Sequence, residues 1–84
     1  MTVRDAAALL MERAGLSDTS PLIPQLKGAG VTWHATKPLE KAGITTFGAL
    51  IARTDEQLLE LAAFGERRRA MVEAALRRLA GEEQ

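Results

Sequence analysis

A chain of 84 residues has room for one domain, which on folding buries only about 60–65% of its unfolded surface, so marginal stability is expected. Eleven basic and eleven acidic residues cancel, which argues against a uniformly basic nucleic-acid coat while leaving room for a local patch. The absence of cysteine excludes disulfides and thiolate metal sites. No apolar run approaches the ~18 residues of a membrane span, and the early Glu12-Arg13 pair is wrong for a signal peptide, so no membrane partner and a cytoplasmic location are expected.

Aromatics are limited to Trp33, Phe47 and Phe64, and abundant Ala and Leu favour close helix packing over a sheet. Thr2 caps a first helix from Val3 to Ala14, with Val3, Ala7, Leu10, Met11 and Ala14 on its apolar face. Ser20-Pro21 starts a second segment with Pro at the first helical position. Pro24 then removes a backbone donor, so an irregular or 3₁₀ turn up to Lys27 is expected. Pro38 argues against a helix unbroken from Thr32, and a third helix is expected over 36–42 with Pro38 in its first turn. A fourth helix covers 46–52. Thr54 and Gln57 form a capping box that opens a fifth helix ending near Leu61. Residues 62–65 read as a tight hairpin. The last helix covers 66–80 and is stopped by Gly81, with Val72, Ala75, Leu76 and Leu79 as its buried stripe. The expected core comprises Leu39, Ile44, Leu50, Leu58, Leu59, Val72, Leu76 and Leu79, with Leu10 of the first helix packed on it.

A short pattern recurs at Met11-Glu-Arg-Ala-Gly-Leu-Ser17, Leu26-Lys-Gly-Ala-Gly-Val-Thr32 and Leu39-Glu-Lys-Ala-Gly-Ile-Thr45. Gly15, Gly30 and Gly43 stand where a helix ends in a left-handed residue, which glycine adopts because it has no Cβ to clash. The following Leu16, Val31 or Ile44 folds back on Met11, Leu26 or Leu39, the hydrophobic contact of a Schellman cap. The uneven spacing, below the ~20 residues of repeat folds, marks good helix stops rather than a solenoid.

Catalysis finds no support. His34 is the lone histidine, and no nucleophile set, phosphate loop or metal-ligand spacing accompanies it, so no enzyme activity, cofactor or metal is expected. Arg67, Arg68 and Arg69 fall in the first turn of the last helix, where cations oppose the helix dipole. A bound phosphate would offset that cost, since Gly65 permits close backbone approach and the first N–H groups are free. The alternative is a solvated face in which Glu66 and Glu73 partner Arg69 and Arg77.

Three segments in order, Leu39-Glu-Lys-Ala-Gly-Ile-Thr-Thr-Phe-Gly-Ala-Leu50, Thr54-Asp-Glu-Gln-Leu-Leu59 and Phe64-Gly-Glu-Arg-Arg-Arg-Ala-Met-Val72, resemble the C-terminal domain of the bacterial RNA polymerase alpha subunit. More broadly they resemble helix-hairpin-helix domains. The likeness covers about 31–79. It implies a fold of four or five short helices around a hairpin, and the whole chain is accordingly expected to be all-α, a compact bundle of five or six short helices with a SAM-like helix-hairpin-helix C-terminal half. On this scheme 1–84 is one domain, made of an N-terminal helical extension (1–30) and a helix-hairpin-helix-like module (31–80). In that family the domain grips promoter DNA at the minor groove and backbone, and docks onto activators. Matched by position, the family's arginine falls on His34, its asparagine on Lys37, its hairpin glycine on Gly65, and its basic-polar pair on Arg67 and Arg68. Three positions depart from the pattern. His34 is a weaker donor than an arginine fork, Pro38 lies within a helix the family keeps continuous, and Arg69 replaces an apolar residue.

The expectation is a non-enzymatic module that binds double-stranded DNA in bacterial transcription through Gly65, Arg67, Arg68, Lys37 and His34. The alternative is a protein-interaction adaptor on the same scaffold, or a homodimer formed through the N-terminal helix with Leu9 and Met11 presented.

Overall fold

The computed structural model describes residues 1–82. Six helices follow in order: α1 (Val3–Ala14), α2 (Ile23–Gly28), α3 (Trp33–Lys41), α4 (Phe47–Ile51), α5 (Asp55–Leu59) and α6 (Gly65–Leu79). Among the described residues the extended pairing is confined to one isolated antiparallel bridge, Pro21 with Thr46, so the protein is all-α as expected.

Local chemistry sets most of the boundaries. The side chains of Thr2, Thr46 and Thr54 accept hydrogen bonds from the third N–H of α1, α4 and α5, and Gln57 completes the box at Thr54. The recurring stop signals work as read from the sequence. Gly15, Gly30 and Gly43 have φ of 67°, 90° and 78°. The N–H groups of Leu16, Val31 and Ile44 donate to the carbonyls of Met11, Leu26 and Leu39, at 2.9, 3.0 and 2.9 Å.

Both proline-based expectations need correction. The second segment is an α-helix rather than an irregular or 3₁₀ turn, and it opens at Ile23, not at Pro21. Pro24 falls in its first turn, where no intrahelical donor is needed, so the ring costs nothing there. Pro21 instead lies in the bridge to Thr46, flanked by Leu22 N–H donating to the Thr45 carbonyl (2.9 Å) and Phe47 N–H to the Ser20 carbonyl (3.1 Å). The third helix does not wait for Thr36. It runs unbroken from Trp33 with Pro38 inside it. The ring deprives the His34 carbonyl of a partner, but that carbonyl belongs to the exposed side of the helix. The buried Ala35, Thr36 and Leu39 hold the turns on both sides of Pro38 against the core, and this packing overrides the local preference.

The first thirty residues belong to the same core as the rest. α1 packs on α6 and α4, and α2 on α3 and α6. Val3, Ala6, Ala7 and Leu10 are buried, and Leu9 and Met11 lie half-buried against the same cluster. The centre is filled by Leu22, Leu26, Leu39, Ile44, Phe47, Leu50, Leu58, Phe64, Val72 and Leu76. Two expected core residues are not in it: Leu59 is 40% exposed and Leu79 37%. In the five-residue α5 only Leu58 faces inward, and at the end of α6 the inward position passes to Ala80.

Close approach also places the loop before α2. Gly48 N–H donates to the Asp18 carbonyl at 2.8 Å, and a methyl on Gly48 would stand 2.9 Å from that same oxygen. Gly48→Ala is therefore expected to lower stability by about 1–3 kcal/mol, since backbone must move to admit it. Leu58→Ala should cost about 2–5 kcal/mol and Leu59→Ala less than about 1 kcal/mol, both measured by urea denaturation.

Candidate nucleic-acid interface

α3 buries Ala35, Thr36 and Leu39, which turns Trp33, His34, Lys37 and Lys41 to the opposite side. Because the helix is continuous through Pro38, His34 and Lys37 stand one turn apart on the same face, with Lys41 one turn further. The indole of Trp33 and the imidazole of His34 stack with centroids 3.9 Å apart.

The hairpin faces this helix. Ala63 has φ 60°, the one described non-glycine residue in the left-handed region, and Gly65 has φ 74°. An alanine held there costs about 1 kcal/mol or more. The reversal brings the start of α6 beside α3. α6 opens at Phe64 without a side-chain cap, unlike α1, α4 and α5, so its first N–H groups have no side-chain acceptor. A depression of about 320 Å³ is bordered by Trp33, His34, Lys37, Lys41, Ala63 and Arg68. A second, of about 490 Å³, is bordered by His34, Gly65, Arg67 and Arg68, with Glu66 at its edge. His34 and Arg68 line both, so the two form one surface, and all five site residues expected from the sequence lie on it.

The arginines divide into two groups by what they touch. Arg4 Nε donates to the carbonyl of Ile51, the last residue of α4 (2.8 Å). Arg13 reaches the Ala80 carbonyl at the end of α6 (2.7 Å), and Arg78 the Ala29 carbonyl at the end of α2 (2.7 Å). Each satisfies a carbonyl that its helix leaves without a partner. Arg69 binds three carboxylates: Glu66 through two bonds (2.8 and 2.7 Å), Glu73 (2.8 Å) and Asp55 (3.0 Å). These hydrogen bonds hold the Glu66 carboxyl below its usual range and raise the Arg69 guanidinium further still. Arg77 lies 3.9 Å from Glu73. The ion pairs of the solvated-face alternative thus hold for Arg69 and Arg77, although Arg69, Asp55 and Glu73 are largely covered rather than solvated. They do not extend to Arg67, Arg68, Lys37 or Lys41, none of which makes an ion pair among the described residues. Arg68 has one long bond, 3.4 Å, to the Phe64 carbonyl.

Lys41 and Trp33 join the surface without having been singled out from the sequence. The signal was there in the spacing of Trp33, Lys37 and Lys41 at every fourth residue, hidden by the assumption that Pro38 broke the helix. No protein-family model matches the chain, and neither a curated protein nor a solved structure matches it.

Removing Arg69 leaves Asp55 without its cation and Glu73 with only the 3.9 Å contact to Arg77, both carboxylates being largely covered. Arg69→Ala should cost about 1.5–3 kcal/mol, whereas Arg67→Ala and Arg68→Ala should each stay within about 0.5 kcal/mol. The Glu66 share of this network is present above the ordinary carboxylate range and is lost as the pH falls through its lowered value. Thermal melts of the variants at neutral and acid pH check both statements.

Proposed function

We propose that this protein is a non-enzymatic DNA-binding module whose contact surface is the hairpin, the start of α6 and the facing side of α3. The observation that carries this reading is the segregation of cations. The cations Lys37, Lys41, Arg67 and Arg68 share one surface with His34, and the carboxylate of Glu66, which also borders it, is held through two hydrogen bonds by Arg69. A chain of zero net charge has in this way concentrated unpaired positive charge beside free backbone N–H groups, the chemistry that binds a phosphate backbone. Gly65, with no side chain, lets a phosphate approach the hairpin backbone. The resemblance to the RNA polymerase alpha C-terminal domain agrees with this surface and suggests bacterial transcription as its setting.

A second reading, the protein-interaction adaptor, has one observation in its favour. Pro21, Pro24, Gln25, Gly28 and the exposed Leu79 border a depression of about 420 Å³ away from the cationic surface, with mostly apolar walls. An adaptor or dimer built on this scaffold would use that groove more readily than α1, whose apolar side is already taken up by its own core.

Affinity for a short duplex is expected to fall log-linearly with salt. The double variant Arg67→Ala/Arg68→Ala should remain folded, lose most of that affinity and flatten the slope by about two phosphate contacts. Fluorescence anisotropy over a salt series measures this. Affinity unchanged in the double variant would favour the adaptor.

A further inference from the structure

A phosphate-binding surface needs cations but not an exposed tryptophan. Trp33 is 64% exposed at the first position of α3, the largest apolar side chain left in solvent. Its neighbour His34 stacks with it at 3.9 Å, so one face of the indole has an aromatic partner while most of the ring stays accessible. The depression of about 320 Å³ that Trp33 borders is also lined by the cations Lys37, Lys41 and Arg68 and by the small Ala62 and Ala63 of the hairpin. That volume lies near the lower limit of small-ligand sites, roughly 300 Å³. A flat aromatic wall with a cationic rim has the two features that single-stranded nucleic acid requires, a platform for a base and charge for the flanking phosphates. A continuous duplex keeps its bases stacked inside and offers this ring only its backbone.

We infer that Trp33 is a base-stacking platform, and that the ligand of this surface is DNA with an unpaired base, as in a single strand or a strand end, in preference to an uninterrupted duplex. An extruded base packs on the free part of the indole between Lys37 and Arg68, and its phosphates lie along Lys41 and Arg67. Trp33 can do so only if this surface binds DNA as proposed above, and the test separates the two claims.

The chain has one tryptophan and no tyrosine, so its indole emission reports this single site. The full chain is titrated with a labelled oligo-dT strand of about 12 nucleotides and with a blunt duplex of the same length, following anisotropy of the label and emission of Trp33. Oligo-dT should quench the emission and bind more tightly than the duplex. Trp33→Ala, an exposed substitution whose fold is checked by circular dichroism, should weaken oligo-dT binding by about ten-fold while changing duplex affinity less than about two-fold. Trp33→Phe should recover part of the loss. Unchanged emission at saturating oligo-dT, or an equal loss for both ligands in Trp33→Ala, overturns the stacking role. If duplex binding then still depends on Arg67 and Arg68, the DNA-binding module stands without it. Failure of both ligands to bind removes both.

Discussion

Arg69 is the point at which the stability of this fold and the charge of its surface meet. Its guanidinium gathers Glu66 and Glu73 from its own helix and Asp55 from α5. The other oxygen of Asp55 accepts the N–H of Val3, the first residue of α1, at 3.0 Å. One side chain thus joins the beginning, the middle and the end of the chain through a single carboxylate. Asp55 is well placed for this, because a negative charge is favourable at both helix starts it touches. The network also orients Glu66: two hydrogen bonds direct its carboxylate to Arg69 instead of leaving it free beside Arg67 and Arg68. Arg69 thus combines a tie between α5 and α6 with control of the acid nearest those two arginines.

The elements most legible in the sequence are those fixed by chemistry within five or six residues. The stops at Gly15, Gly30 and Gly43 and the caps at Thr2 and Thr54 need no tertiary information, since donor and acceptor lie in the same short segment; Thr46, expected as the first helical residue, proves to be a cap as well. Where tertiary packing competes with a local rule, the rule loses. Pro38 is tolerated inside α3 because Ala35, Thr36 and Leu39 are held by the core, and Pro24 is harmless because of where α2 begins. Leu58 and Leu59 differ by one position in a helix of a single turn, too short for a periodic stripe to distinguish them. The site divides in the same way. Gly65, Arg67 and Arg68 were legible in the arginine run itself, His34 and Lys37 only through the resemblance, and all five border the same surface. The pairing of Arg69 with Glu66 and Glu73 is readable from helical spacing, whereas its third partner, Asp55, is fourteen residues away in sequence and needed the fold.

The pairing of α1 with α6 has a consequence for how the protein folds. Val3, Ala6, Ala7 and Leu10 bury against α4 and, more extensively, against α6, so the face of α1 is completed only when α6 joins it. Loop closure across such a separation must be achieved before the contact rewards it. The four short helices between them are too brief to persist alone. The helices therefore depend on one another for burial, and the domain is expected to fold as one cooperative unit.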